Sequence, residues 1–166
     1  ATFDLFNPKP TQGPSPLITQ LAIRLRDLPA RLAQFPDPAV NPVIAVQPGH
    51  FLLVGDANGI IPIQSLTFTS DPIVAGQPAT GTITLGFANP LPDDRFTLTV
   101  SDSLMDDVGN RLDGESNARE PQEVPTFPSG DGQPGGDFVA RFTVDSRPEL
   151  GTWAAGNVWV DTNGNF

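Results

Sequence analysis

Thr80–Asp102, TGTITLGFANPLPDDRFTLTVSD, decides the fold. Over Thr80–Ala88, Ile83, Leu85 and Phe87 alternate with Thr82, Thr84 and Gly86. Over Asp94–Asp102, Phe96, Leu98 and Val100 alternate with Arg95, Thr97, Thr99 and Ser101. A period of two sends successive side chains to opposite faces of an extended chain, so each segment reads as a strand with one face in a core. Asn89-Pro90-Leu91-Pro92-Asp93 lies between them. Its prolines lack the amide a sheet ladder needs, which makes this stretch a corner between strands.

The same pattern extends outward in both directions. Phe138–Asp145 places Phe138, Ala140, Phe142 and Val144 on one face and Val139, Arg141 and Thr143 on the other. Phe51-Leu52-Leu53-Val54 is a short apolar strand closed by the turn residues Gly55-Asp56-Ala57-Asn58-Gly59. Pro62–Ser70 alternates Ile63, Leu66 and Phe68 imperfectly, and Val158-Trp159-Val160 is a strand-like triplet. In Leu17–Gln34 the leucines at 17, 21, 25, 28 and 32 recur at helical spacing, yet Leu21, Ile23 and Leu25 also alternate with Ala22, Arg24 and Arg26. Pro29 would cost an uninterrupted helix about 3 kcal/mol. The reading is therefore a strand over Ile18–Arg26 and a short helical turn near Ala30–Gln34.

These segments predict an all-β, immunoglobulin-like β-sandwich of about seven strands with at most a short helical turn. Residues 1–16, with prolines at 8, 10, 14 and 16, read as an extended linker. The sandwich spans 17–146 and carries a long loop insertion over 103–136, rich in Gly, Pro, Asp and Asn and read as an excursion too polar for the core. Residues 147–166 read as a linker and the start of a following element. The chain opens at Ala1 without Met and stops in an Asp/Asn/Gly-rich run, so both ends read as cut or processed ends, and export stays open.

The 166 residues carry a formal net charge of −10, with a sequence pI near 4.2. Such a surface repels phosphate backbones and anionic lipid, which argues against nucleic-acid partners, and no apolar run approaches the length of a membrane span. A cation is its natural partner. The absence of cysteine excludes disulfides, thiolate zinc sites and cysteine nucleophiles.

Arg95-Phe96-Thr97-Leu98-Thr99-Val100, followed by Leu104, Asp107, Gly109-Asn110 and Leu112, resembles the last hairpin of bacterial immunoglobulin-like domains of the S-layer SbsA type. There a Y-T-V-T-V strand precedes a D-x-x-G-N-x-L loop and a closing strand, here Phe138–Asp145. Gln20–Pro29 and Phe51–Gly55 are similar to earlier strands of that family, and the similarity covers roughly residues 15–145. Phe96 stands where the family has tyrosine, and Gly114–Gly136 is an insertion. The resemblance implies a repeated module of large secreted or cell-surface bacterial proteins, acting as spacer, adhesive module or support for neighbouring domains.

Asp102, Asp106, Asp107, Asn110 and Asp113 offer several oxygens over a short span, as calcium requires. The alternative is a solvated turn in which Asp107 and Asn110 bond local backbone and Gly109 supplies positive φ. Asp161, Asn163 and Asn165 share the 1, 3, 5 spacing that opens calcium loops, with Phe166 where glycine is wanted. Calcium is the one cofactor the sequence suggests, and none is required. His50, the single histidine, reads as an exposed loop residue, since no nucleophile or zinc motif accompanies it. Paired carboxylates such as Asp93-Asp94 or Asp106-Asp107 could serve acid/base chemistry on a glycosidic bond, although adjacent aspartates are common in turns. Trp153 and Trp159 could stack on a sugar ring or pack in a core.

The expectation is a noncatalytic spacer or interaction module, extracellular or at the cell surface. Its partners would be neighbouring domains of the same chain, and a surface protein or glycan. The alternative is a carbohydrate-binding β-sandwich module attached to a larger enzyme.

Overall fold

The structure is a computed structural model that describes residues 17–26, 47–72, 74, 77–105, 109–115 and 127–145, together with the backbone of 151–154 and 157–160. The expected linker 1–16 and the helical turn near Ala30–Gln34 lie outside these residues.

Among the described residues seven strands form two antiparallel sheets. β1 (Gln20–Arg26), β5 (Thr80–Phe87) and β4 (Ile63–Ser70) make one, in the order β1-β5-β4. β3 (Gly59–Ile60), β2 (Phe51–Gly55), β6 (Asp94–Val100) and β7 (Phe138–Val144) make the other, in the order β3-β2-β6-β7. Read in chain order, these are the B-E-D and C′-C-F-G orders of the immunoglobulin sandwich. β8 (Gly151–Ala154) and β9 (Asn157–Val160) pair as a separate two-stranded sheet. Among the described residues the only helical element is a turn of 3-10 helix at Pro48–His50, and no helix is long and apolar enough to cross a membrane.

The core lies between the two sheets and follows the alternation of the sequence. Leu21 and Leu25 from β1 and Ile83, Leu85 and Phe87 from β5 face Phe51 and Leu53 from β2, Phe96, Leu98 and Val100 from β6, and Phe142 and Val144 from β7. Phe96, Leu53, Ile83 and Leu85 are wholly excluded from water. The Phe96 and Phe142 rings lie 5.5 Å apart, centroid to centroid, across the β6–β7 pair. The uneven spacing of Ile63, Leu66 and Phe68 has a local cause: the register against β5 shifts between Ile63 and Ser65. One extra residue in a bulge lets side chains three apart share a face.

Two expectations are corrected by the structure. The segment after β6 does not leave the scaffold at once, because Leu104 is 2% exposed and belongs to the core, with Leu112 packed against it. His50 is half-buried in the 3-10 turn, its Nδ1 enclosed and without a hydrogen-bond partner among the described residues. Its carbonyl accepts the Ser101 amide at 2.8 Å, tying the start of β2 to the end of β6.

A candidate cation site in the β6–β7 connection

The long connection between β6 and β7 is organised by backbone pairing. Asp102 N donates to Asp137 Oδ1 at 2.8 Å, joining the segment's entrance to its exit. Beyond this point Met105 bridges Arg111, and Leu112 N donates to Leu104 O at 2.8 Å, so 104–105 lie beside 111–112, and Gly109 has φ 88°. Asp113 then bridges Gly135 in parallel, and Gly130 N donates to Glu115 O at 3.0 Å. The two limbs of the connection, 111–115 and 130–136, therefore run beside one another.

This pairing brings three carboxylates together. In the extended limb Asp113 and Glu115 are two residues apart and share a side, and Asp131 reaches them from the other limb. Each offers an oxygen within 4.8 Å of the other two. Asp113 also holds the opposing turn directly, since Oδ1 accepts the Asp131 amide and Oδ2 the Gly132 amide, both at 2.9 Å. The chain folds this way locally because glycine stands where the carboxylates press on the backbone. A Cβ on Gly130 would lie 2.7 Å from the Asp113 carbonyl oxygen, and one on Gly136 would lie 2.6 Å from Glu115 Cγ. Both glycines have positive φ, 96° and 81°, a conformation side chains disfavour.

The electrostatics of this arrangement favour a cation. Carboxylates about 5 Å apart repel by about 1 kcal/mol per pair even in water, and by more where solvent is excluded. One oxygen, Glu115 Oε2, is enclosed and makes no hydrogen bond among the described residues. A buried polar atom left unpaired costs about 1–3 kcal/mol, and more if charged. Two oxygens on one calcium ion can lie no further apart than about 5 Å, twice the usual bond length. The spacing of this trio meets that limit. Carboxylate oxygens are also the ligands a hard cation takes, so the residues present fit calcium, with Asp113, Glu115 and Asp131 supplying part of its shell.

The residues singled out in the sequence are distributed differently. Asp113 joins the cluster. Asp102 does not: its carboxylate takes Arg111 at 3.2 Å. Asn110 is half-buried next to the Met105–Arg111 bridge. Asp106, Asp107, Asp161, Asn163 and Asn165 lie outside the described residues. Glu115 and Asp131 were not among the expected ligands, because they sit sixteen residues apart in a Gly/Pro-rich stretch. The one signal pointing to them is glycine on both sides of Asp131 and the pair Gly135-Gly136, where acids and permissive backbone alternate.

Other carboxylates brace strands and turns. Asp94 accepts the amides of Ala57 at 3.1 Å, Asn58 at 2.9 Å and Arg95 at 2.7 Å, and the Asn58 side-chain amide at 2.8 Å. The Asn58 side chain leads in holding the Asp94 carboxyl below the ordinary carboxylate range, helped by the backbone donors and opposed by partial desolvation. Asp71 accepts from Arg24 at 2.8 Å and from the Thr80 hydroxyl, and Asp56 pairs with Arg141 at 3.3 Å. In β8–β9, Trp153 stands opposite Val158 and Trp159 opposite Thr152. Comparison of the chain with protein-family models, with curated proteins and with solved structures finds no match.

Proposed function

We propose that this chain is a noncatalytic structural or interaction module of a larger secreted or cell-surface bacterial protein, stabilised by calcium in its β6–β7 connection. The observation that carries the reading is the use of its acids. Asp56, Asp71, Asp94 and Asp113 each join segments distant in sequence, as expected of a load-transmitting or spacing element. Asp113, Glu115 and Asp131 extend the same use to a site whose charge and enclosed oxygen favour a divalent cation. The resemblance of Arg95–Leu112 to S-layer immunoglobulin-like domains agrees with this context, and adhesion through neighbouring domains or a surface glycan fits it too.

The test is thermal unfolding with calcium and with chelator, on the wild-type chain and on Glu115→Gln. A ligand tenfold above its Kd and specific for the native state stabilises by about 1.4 kcal/mol. For a domain of about 130 residues that raises Tm by about 5 °C. The wild type should gain this and Glu115→Gln should not. Equal melts would remove calcium from the reading and leave a plain apolar-cored sandwich.

The second reading, a carbohydrate-binding module, draws on the two tryptophans gathered in one small hairpin. Binding of folded protein on a glycan array would favour it, and a blank array would sink it.

A further inference from the structure

The two sheets of the sandwich have four edge strands, and three of them are guarded against pairing with a further strand. β1 carries Arg24 and Arg26, β7 carries Arg141, and β3 is only two residues long. Charged side chains and short length are the means by which sheets blunt their edges. β4 is the exception. Its eight residues, Ile63-Gln64-Ser65-Leu66-Thr67-Phe68-Thr69-Ser70, include no charge and no proline, and five of them are exposed. The bulge between Ile63 and Ser65 lies at its start and leaves the rest of the strand regular.

The open side of β4 is a row of backbone groups. Asp71 N donates to Thr80 O, so in the antiparallel ladder the amides of Thr69, Thr67 and Ser65 face β5. Those of Ser70, Phe68 and Leu66 point the other way, where no strand stands among the described residues. These groups can take a second strand, and the residue order of β4 is complementary to itself. Laid antiparallel on its own copy about Thr67, the strand pairs Phe68 with Leu66, Thr69 with Ser65 and Ser70 with Gln64, and the flanking Pro62 and Pro72 close the run at both ends. Apolar meets apolar on the core side and hydroxyl meets hydroxyl outside, the pairs that hold antiparallel strands together. Leu66 and Phe68, half-buried at the margin of the core, gain cover. Sliding the copy by two residues sets Phe68 against Gln64 or Leu66 against Ser70 instead. The net charge of −10 opposes self-association. β4 itself brings no charge to the contact, and Asp71 beside it is held by Arg24 at 2.8 Å.

We propose that β4 is a dimerisation edge: two copies of this chain pair β4 antiparallel about Thr67 and join their three-stranded sheets into one continuous sheet. A two-fold contact of this kind uses the same edge of both copies and therefore stops at the dimer. This inference stands whether or not calcium binds.

Sedimentation equilibrium of the full chain should show a mass rising with concentration from 17.6 kDa towards twice that value, and more readily in high salt, which screens the net charge. Thr67→Lys sets two like charges at the two-fold axis and should return the chain to monomer with its circular dichroism unchanged. The chain has no cysteine, so Thr67→Cys reports the register. Residues opposite one another in a non-hydrogen-bonded pair have Cα atoms about 4.5 Å apart, within disulfide reach. On mild oxidation Thr67→Cys should link into covalent dimers several-fold faster than Ser65→Cys, whose counterpart lies four residues further along the partner strand. A chain that stays monomeric at every concentration and salt overturns the proposal. So does a dimer that survives Thr67→Lys, equal cross-linking of the two cysteine variants, or growth past the dimer into open polymers, which would pair β4 with a different edge.

Discussion

Replacing Phe96 with alanine removes the ring at the centre of the structure. Phe96 lies on β6 between β2 and β7, is fully excluded from water, and stacks at a 31° tilt on Phe142. Large-to-small changes of this kind cost about 3–5 kcal/mol, the transfer of the ring plus the cavity it leaves. A domain of this size has a total stability of about 5–15 kcal/mol, so the variant should lose a fifth or more of its margin. With a urea slope of about 2 kcal/mol per molar, the midpoint should fall by about 2 M with the slope unchanged. Tm should fall by about 15 °C, at the entropy of unfolding typical for about 130 residues. Adding Phe142→Ala closes a double-mutant cycle in which the two rings should couple by about 0.5–1.5 kcal/mol. A loss below about 1 kcal/mol would refute a core centred on β6, because no relaxation of a tightly packed interior absorbs a whole phenyl ring.

Asp94 predicts an acid-sensitive turn. Its carboxyl is held below the ordinary range in the folded state. The stabilisation is therefore complete above the unfolded value near 3.9 and is lost as pH falls through the lower folded value. The stability difference between wild type and Asp94→Asn, followed by urea titration, should be flat from pH 7 to about 5 and shrink below about pH 4; a difference independent of pH would count against the brace. Gly136→Ala should destabilise by about 1–3 kcal/mol, since φ 81° disfavours a side chain and its Cβ would press on Glu115. The same variant should show a reduced melting response to calcium. Arg24→Ala should change stability by less than about 1 kcal/mol, because the Arg24–Asp71 pair is largely open to water, and the change should fade in high salt.

Strands β5, β6 and β7 were legible in the sequence because each has one buried face, which writes large apolar residues at every second position, as at Ile83, Leu85 and Phe87, at Phe96, Leu98 and Val100, and at Phe138, Phe142 and Val144. β4 was legible only in outline, since its bulge breaks the period and most of its residues are exposed. The two residues of β3 carry no period at all. They pair with β2 because the turn of 56–58 delivers them there, so Gly59 was read as part of a turn. Gly151–Ala154 was missed because its pattern is short and interrupted, although Val158–Val160 pointed to its partner. For the site, local density of Asp and Asn drew attention to 102–113. The cluster instead depends on the Asp113–Gly135 bridge, a pairing of distant residues with no local mark beyond glycine.

The hydrogen bond from Asp102 N to Asp137 Oδ1 also has an evolutionary consequence. It fastens the connection at its neck, so the sandwich registers the separation of the two ends and not the amount of sequence between them. Closure entropy grows so slowly that doubling such a loop costs only about 0.6 kcal/mol. Chain added between residues 115 and 127 should leave β6 and β7 in register. The segment is thus a port through which related modules could acquire new recognition surfaces, or an engineer a reporter peptide, without redesign of the strands beneath it.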